Sequence, residues 1–275
     1  MSLNAVACSE SYVLATGSAA VRRLHVLHDV YSPVGKRVLY QAGLKEGMKV
    51  ADFGCGVGVV TRMLAQMVGP SGSVTGIDVD GAQLEQAAKL CGGEGLKNTE
   101  FVEATAYDTG LPRNAFDLAY CRFLLLHLAD PAACLREMSA VLKPGGILVV
   151  EDGDLASATS VPRGATDAFA DLFGRLGPTR GVNYSIANDL YHLVLAEGFT
   201  AANIEIHQPA IIRGENRSFL KWSVEEAGPA LVGAGILTSH ELSQTLADMQ
   251  SAVEDLNVLI LAPRMSCVWA KKSSD

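Results

Sequence analysis

Between residues 48 and 152 short apolar runs alternate with stretches of helical periodicity. Lys49–Phe53, Ser73–Ile77, Thr99–Glu103, Phe116–Cys121 and Gly146–Glu151 are short apolar runs of the kind that form buried strands. Between them, residues 59–68 carry Val60, Met63, Leu64, Met67 and Val68 at i, i+3, i+4, i+7 and i+8, which predicts a helix with one buried face. Leu84, Ala87, Ala88 and Cys91 repeat the pattern over 81–91, and Leu135, Met138, Val141 and Leu142 do so over 131–142. Asp130 suits the N-cap of the last of these, with Pro131 at the first helical position, where its missing N–H costs nothing. Apolar strands alternating with helices predict an α/β fold, a doubly wound and mainly parallel sheet with helices on both faces.

Two regions flank that core. Residues 1–45 hold a stripe of Val21, Leu24, Leu27, Val30 and Tyr31, interrupted at Pro33. The stripe must be buried on something, and it precedes the first core strand. The expected division is therefore an N-terminal helical lid over 1–45, ordered by ligand and turning at Pro33, followed by a domain over 46–275. Within 46–275, residues 46–152 form the ligand-binding core, and 153–275 supply substrate-side helices and the last strands. Phe169, Leu172, Phe173 and Leu176 mark a helix ended by Gly177-Pro178; a second fits 186–197, stopped by Gly198. A strand is expected at 202–212. From about 239 a helix opens with a capping box of Thr238 and Glu241, a hydrophobic staple of Leu237 and Leu242, and a face of Leu246, Met249 and Val253. Met265–Ala270 reads as a final strand. There are no repeats and no low-complexity segment.

At 275 residues, with 49% hydrophobic and 19% charged positions, the chain can bury a substantial core, which excludes an intrinsically disordered protein. The formal net charge of −8 argues against a nucleic-acid partner, because an acidic surface repels phosphate backbones. Met1–Glu10 lacks a basic segment followed by an apolar one, so no signal peptide is expected, and no run reaches the length of a membrane span; the densest, Phe123–Leu128, is broken by His127. Cysteines 8, 55, 91, 121, 134 and 267 are scattered, with no CxxC pair, and read as reduced core thiols of a cytoplasmic protein without a metal site.

The chemistry concentrates in Val50-Ala51-Asp52-Phe53-Gly54-Cys55-Gly56-Val57-Gly58, a strand entering a glycine-rich turn before a helix. Glycines let the backbone turn sharply and approach a ligand, and the helix N-terminus beyond offers free N–H groups. Position 59 is Val59, where the dinucleotide fingerprint has its third glycine, and Asp52 sits where a pyrophosphate would be repelled. A nicotinamide-dependent oxidoreductase is therefore disfavoured. Downstream, Asp78 ends the second strand, where a carboxylate can accept hydrogen bonds from a ribose diol; a helix cap or solvated acid is the alternative.

Asp52–Gly58, Asp78, Phe116-Asp117-Leu118-Ala119-Tyr120 and Leu142–Gly146 with Ile147–Glu151 together resemble the ordered motifs of class I S-adenosylmethionine-dependent methyltransferases. More narrowly, they resemble the UbiE-like, methyltransferase-domain methylases of bacteria, over roughly residues 45–152. The resemblance implies a seven-stranded sheet of order 3-2-1-4-5-7-6 with strand 7 antiparallel, and S-adenosylmethionine as cofactor. It implies that Gly54, Gly56 and Gly58, with Cys55 between them, line the methionine and ribose part, and that Asp52 meets the amino group directly or through water. Asp78 would hold the ribose hydroxyls and Val79 would pack on the adenine. In the segment ending Ala104-Thr105-Ala106 the chain departs from the family pattern: an Asp commonly stands where Thr105 is, so adenine is met by a hydroxyl without charge. Cys121 and Arg122 match the floor of the methyl-donor site, with Arg122 placed for the methionine carboxylate or for a salt bridge between helices.

The reaction implied is in-line transfer of a methyl group from a sulfonium to an O, N or C nucleophile, which needs alignment, exclusion of water and, for a hydroxyl nucleophile, a general base. Candidate bases are His127, Glu151 and Asp152, with His25 and His28 on the N-terminal helix. The Asn/Asp-Pro-Pro-Tyr segment of amino-methylating DNA and protein enzymes is replaced by Tyr120-Cys121-Arg122-Phe123, and no acidic metal cluster assembles around strands 4 and 5. The expected acceptor is a small, partly apolar molecule in a pocket to which Tyr12, Tyr31, Phe169, Phe173, Tyr184 and Tyr191 can contribute. The alternative is a non-catalytic module that holds S-adenosylmethionine or S-adenosylhomocysteine. Oligomeric state is not legible.

Overall fold

The computed structural model describes residues 18–273. A seven-stranded sheet forms the centre, in the order β3-β2-β1-β4-β5-β10-β7. Its parallel strands are β1 (Lys49–Phe53), β2 (Ser73–Asp78), β3 (Thr99–Glu103), β4 (Phe116–Arg122) and β5 (Leu142–Asp154). The connecting helices are α2 (Val59–Val68), α3 (Gly81–Gly93) and α4 (Pro131–Val141), with α1 (Ser18–Ala42) leading in. β1 and β4 pair side by side although two helices and two strands separate them in sequence, so the chain reverses direction across the sheet there and opens a crevice at the strands' carboxyl ends.

Beyond β5 come β6 (Thr159–Val161), α5 (Ala168–Arg180), α6 (Leu190–Ala196), β7 (Thr200–His207), β8 (Ala210–Ile211), α7 (Phe219–Gly233), α8 (Ser239–Glu254), β9 (Leu259–Leu261) and β10 (Arg264–Lys271). β10 runs antiparallel between β5 and β7, from Arg264 opposite Asp154 to Lys271 opposite Ile147. This is the order and orientation the family resemblance implied. A small second sheet, β6-β9-β8, is built from this C-terminal side of the chain. Buried Arg217 ties that side together, donating to the carbonyls of Ala252, Val253 and Asp255 at the end of α8 and to those of Ile211 and Val258. It thereby answers carbonyls that a helix end leaves without partners.

Several expectations need correction. α1 runs unbroken through Pro33. Proline removes one N–H, and the carbonyl it frees belongs to Asp29, an exposed residue, so that carbonyl faces no burial penalty. Meanwhile Tyr31, Val38 and Leu39 are wholly buried and hold the helix to the core across the gap. α5 likewise continues past Pro178 to Arg180 and stops at Gly181, whose φ of +68° places it in the left-handed region. The run 186–197 is a 3-10 turn, Ile186–Asn188, followed by α6, and 202–212 divides into β7 and β8. α7 was not read from the sequence. The capping box at Thr238 is present, with the Glu241 N–H donating to Thr238 Oγ1 at 3.2 Å and the Thr238 N–H to Glu241 Oε2 at 2.7 Å. Tyr12 and Cys8 lie outside the described residues, as do residues 1–17 of the expected lid. Among the described residues the cysteines are free and buried, no helix is long and apolar enough to cross a membrane, and no side-chain cluster suits a metal ion.

Candidate active site

The carboxyl ends of β1, β2 and β4 open into a cavity of about 860 Å³, roofed by the N-terminal half of α1 and by α5 and α7. Its floor begins at the turn after β1. Gly54 (φ +67°) and Gly56 (φ +53°) have left-handed backbones, and a Cβ on Gly54 would lie 2.8 Å from Leu124 Cδ1, so this wall stays open only with glycine. Gly58 serves differently. A Cβ there would sit 2.7 Å from the Cβ of Ala87, so Gly58 lets α3 pack against the start of α2 and does not line the cavity.

Asp78 organises the turn. Its Oδ2 accepts the Gly56 N–H at 2.8 Å and its Oδ1 accepts the Asp80 N–H at 3.1 Å, which ties the first and second strand ends together. Burial pushes its carboxyl up, against the pull of those backbone donors. The Val79 N–H also bears on this carboxylate, which keeps spare acceptor capacity, and Asp78 lines the cavity. Val79, 64% exposed, stands beside it as an uncovered apolar surface, and Ala104, Thr105 and Ala106 line the same end. The Thr105 hydroxyl accepts the Asp108 N–H at 3.2 Å.

Asp52 is not on the cavity wall. It is buried behind the turn, accepts the Thr61 hydroxyl at 2.6 Å, and has its carboxyl pushed up to about 7 by burial. Cys121 is fully buried in β4, whereas Cys55 lines the cavity. Arg122 also lines it; its Nη2 lies 3.3 Å from His28 Nδ1, and its buried Nη1 has no hydrogen-bond partner. Burial first, and the Arg122 charge second, hold His28 down at about 3. Neither His25 nor His28 lines the cavity.

Of the three foremost candidate catalytic residues, only His127 reaches the cavity. Successive strand residues face opposite sides of the sheet, so Glu151 and Asp152 part company. Glu151 accepts the Tyr120 hydroxyl at 2.9 Å and lies against Gly35 of α1. Asp152 accepts the N–H groups of Gly153 (2.9 Å) and Leu126 (3.2 Å), which fixes the 3-10 turn Leu125–His127. Burial raises both carboxyls, Asp152 to about 7. His127 itself packs edge-on to Tyr184 at 5.8 Å; burial, then the charges of Arg23 and Arg180, hold it neutral with a value of about 3.

The far wall is aromatic and cationic. Phe169, Phe173 and Tyr184 line it as a contiguous set, with ring centroids 4.7 Å apart for the two phenylalanines and 5.3 Å for Phe173 and Tyr184. Tyr31 is instead wholly buried with its hydroxyl donating to the Pro263 carbonyl, and Tyr191 is off the cavity. Sequence reasoning missed Arg23, Arg180 and Phe219 on this wall. A charged residue within the apolar stripe of α1 was the available signal for Arg23.

The turn and its partners fit S-adenosylmethionine on structural grounds: a cradle that a Cβ would fill, a carboxylate with spare acceptor capacity beside an uncovered apolar side chain, and an unanswered buried guanidinium N–H for a carboxylate. Comparison with known proteins agrees. Residues 51–150 match the methyltransferase domain family model. Over 114 residues the chain is 37% identical to a demethylmenaquinone methyltransferase of Staphylococcus aureus (strain JH9), covering 42% of this chain and 46% of that protein, so the match spans about half the length of that curated relative. Among solved structures, an S-adenosylmethionine-dependent methyltransferase from Aquifex aeolicus is similar with a TM-score of 0.55 at 20% identity, over 94% of this chain and all of the other (100%). The Haemonchus contortus phosphoethanolamine N-methyltransferase 2, in complex with phosphomonomethylethanolamine and S-adenosylhomocysteine, is similar with a TM-score of 0.55 at 15% identity, over 92% of this chain and 52% of that one. At such identities the two structures speak to the fold.

Proposed function

We propose that this chain, whose residues 51–150 belong to the class I S-adenosylmethionine-dependent methyltransferases, transfers the methyl group to an O, N or C nucleophile of a small, partly apolar molecule. The observation that carries the reading is one cavity with two unlike ends: the Gly54–Gly56 turn with Asp78 and Val79 at one, and Phe169, Phe173 and Tyr184 at the other. A volume of about 860 Å³ stands near the top of the ~300–1,000 Å³ range of single-ligand pockets, which suits a cofactor and a small acceptor together. A recessed cavity, and a chain with a net charge of −8, favour a small molecule over nucleic acid.

S-adenosylmethionine, when bound, supplies a methyl group on a positively charged sulfur. The chain's part is to hold and align. Asp78 accepts from the ribose hydroxyls, Val79 packs on the adenine, and the open Nη1 of Arg122 donates to the methionine carboxylate. Asp52 acts through Thr61 on the start of α2, and Asp152 acts through the 125–127 turn that carries His127; both are positioning residues. Neutral His127 is a weak base but a sound hydrogen-bond acceptor for a nucleophile's proton. Leu24 and Leu27 of α1, with the phenylalanines, keep water from the cavity. In this reading α1 is the lid, and hydrogen exchange of residues 18–32 slows when S-adenosylhomocysteine binds; equal, high protection in both states would make α1 scaffold only.

The test is incubation with methyl-labelled S-adenosylmethionine and a panel of phenols, quinols and amines. Label transferred to a panel member supports the proposal. Cofactor binding without transfer to any of them would favour the non-catalytic module.

A further inference from the structure

Two cations that line the cavity, Arg23 and Arg180, are not explained by methyl transfer as such. Arg23 is 3% exposed, and Glu226 of α7 takes only its Nε edge, at 2.8 Å. The Nη2 of Arg23 is buried with no hydrogen-bond partner, on a residue that lines the cavity. A buried guanidinium N–H left unanswered costs free energy, and the cost is recovered when an acceptor arrives. Arg180 lines the same cavity, and after burial the charges of both cations act on His127. This arrangement is unfavourable for the cofactor, whose sulfonium is itself a cation. A wall that carries guanidinium groups beside a sulfonium site makes electrostatic sense when the second ligand brings negative charge.

We propose that the methyl acceptor carries a carboxylate, seated on the Nη2 of Arg23 with Arg180 beside it, while its apolar body lies against Phe169 and Phe173. The inference rests on the methyltransferase reading of the cavity. A carboxylate fits better than a phosphate dianion, because Arg23 is already half-answered by Glu226 and has a single buried donor left unpartnered. The phenylalanine pair that lines the same cavity offers an uncharged, apolar surface, so the anion is the polar end of an otherwise apolar or aromatic molecule. The remaining cavity-lining groups of this wall, Ser223, Thr179 and Tyr184, are neutral and add no competing charge.

The experiment is calorimetric titration of the full chain, saturated with S-adenosylhomocysteine, with three matched pairs: benzoate and benzamide, 4-hydroxybenzoate and 4-hydroxybenzamide, cinnamate and cinnamamide. At least one acid is expected to bind tenfold or more tightly than its amide, and Arg23→Gln to abolish the preference. Because Arg23→Gln leaves Glu226 buried without a partner, the double variant Arg23→Gln/Glu226→Gln is measured beside it, with the same loss expected. A second readout is the 15N shift of His127: a bound carboxylate offsets the two guanidinium fields, so the imidazole titrates at higher pH in the complex. Equal affinity for acid and amide in every pair, no binding of any probe, or a preference that survives in the double variant would overturn the proposal. Failure of S-adenosylhomocysteine to bind would instead remove the methyltransferase reading. The pairs titrated into the free chain then report on the carboxylate site by itself.

Discussion

The two ends of the cavity are built by different means. The cofactor end is made of backbone: a glycine turn, three strand ends and an aspartate that accepts N–H groups from two of them. Its parts come from short segments, 54–56, 78–79 and 104–106, each fixed by a strand immediately before it. The acceptor end is made of side chains from α1, α5 and α7, nearly two hundred residues apart in sequence, and its shape depends on how those helices pack. A site made of backbone constrains sequence locally. A site made of side chains leaves no local pattern, so its chemistry can change without altering the fold.

The largest expected effect lies at the cofactor end. Asp78→Ala removes the acceptor of the ribose hydroxyls and the tether of Gly56 together. Charge-assisted hydrogen bonds are worth ~1.5–3 kcal/mol each, so affinity for S-adenosylhomocysteine should fall by about 100-fold or more. A loss under tenfold by calorimetry would mean that the turn, not Asp78, holds the ligand. Gly58→Ala probes packing apart from ligand contact. With φ at +80° and a Cβ placed 2.7 Å from Ala87 Cβ, the variant should lose ~2–3 kcal/mol of stability in denaturant melts. Its cofactor affinity, where it remains folded, should change little.

At the acceptor end the contrast can be sharpened by pH. His127, like His28, is held at about 3 when folded and titrates near 6.5 when unfolded. The unfolded chain therefore binds more protons between those values, and this contribution to stability, complete above pH 6.5, is lost as pH falls towards 3. Asp52 and Asp152, raised to about 7, act with the opposite sign: folded protein binds the extra proton, and stability falls as pH rises from about 4 to 7. His127→Gln should reduce the acid-side slope by up to one proton, ~1.4 kcal/mol per pH unit. An unchanged slope would mean that His127 protonates in place. The smallest effect is expected from Thr105→Ala, which costs the adenine end at most one neutral hydrogen bond of ~0.5–1.5 kcal/mol. A loss exceeding that of Asp78→Ala would put the adenosine contacts in a different register.

The same contrast explains what could be read from the sequence. Strands β1 to β4 and helices α2 to α4 were legible because strands of a covered parallel sheet read as short apolar runs and amphipathic helices impose a period of 3.6. Asp78 and Gly54 were legible for the related reason that strand ends fix their positions, whereas Val79 came from the family resemblance alone. Pro33 and Pro178 misled because both helices are held by tertiary burial, of Tyr31 and Leu39 in one and Leu176 in the other. That burial outweighs one missing N–H. Glu151 and Asp152 could not be assigned to faces of β5 without knowing that Gly35 brings α1 against one of them. Arg23 showed in the sequence only as a charge within the apolar stripe of α1, and its setting depends on α7, which places Glu226 beside it.

The most direct test is an isothermal titration of the folded wild-type chain with S-adenosylhomocysteine, run in parallel with Asp78→Ala. The account predicts single-site binding in the micromolar range for the wild type, with most of that affinity gone in the variant. Folded wild-type protein that gives no heat and no displacement with either S-adenosylhomocysteine or S-adenosylmethionine would contradict it.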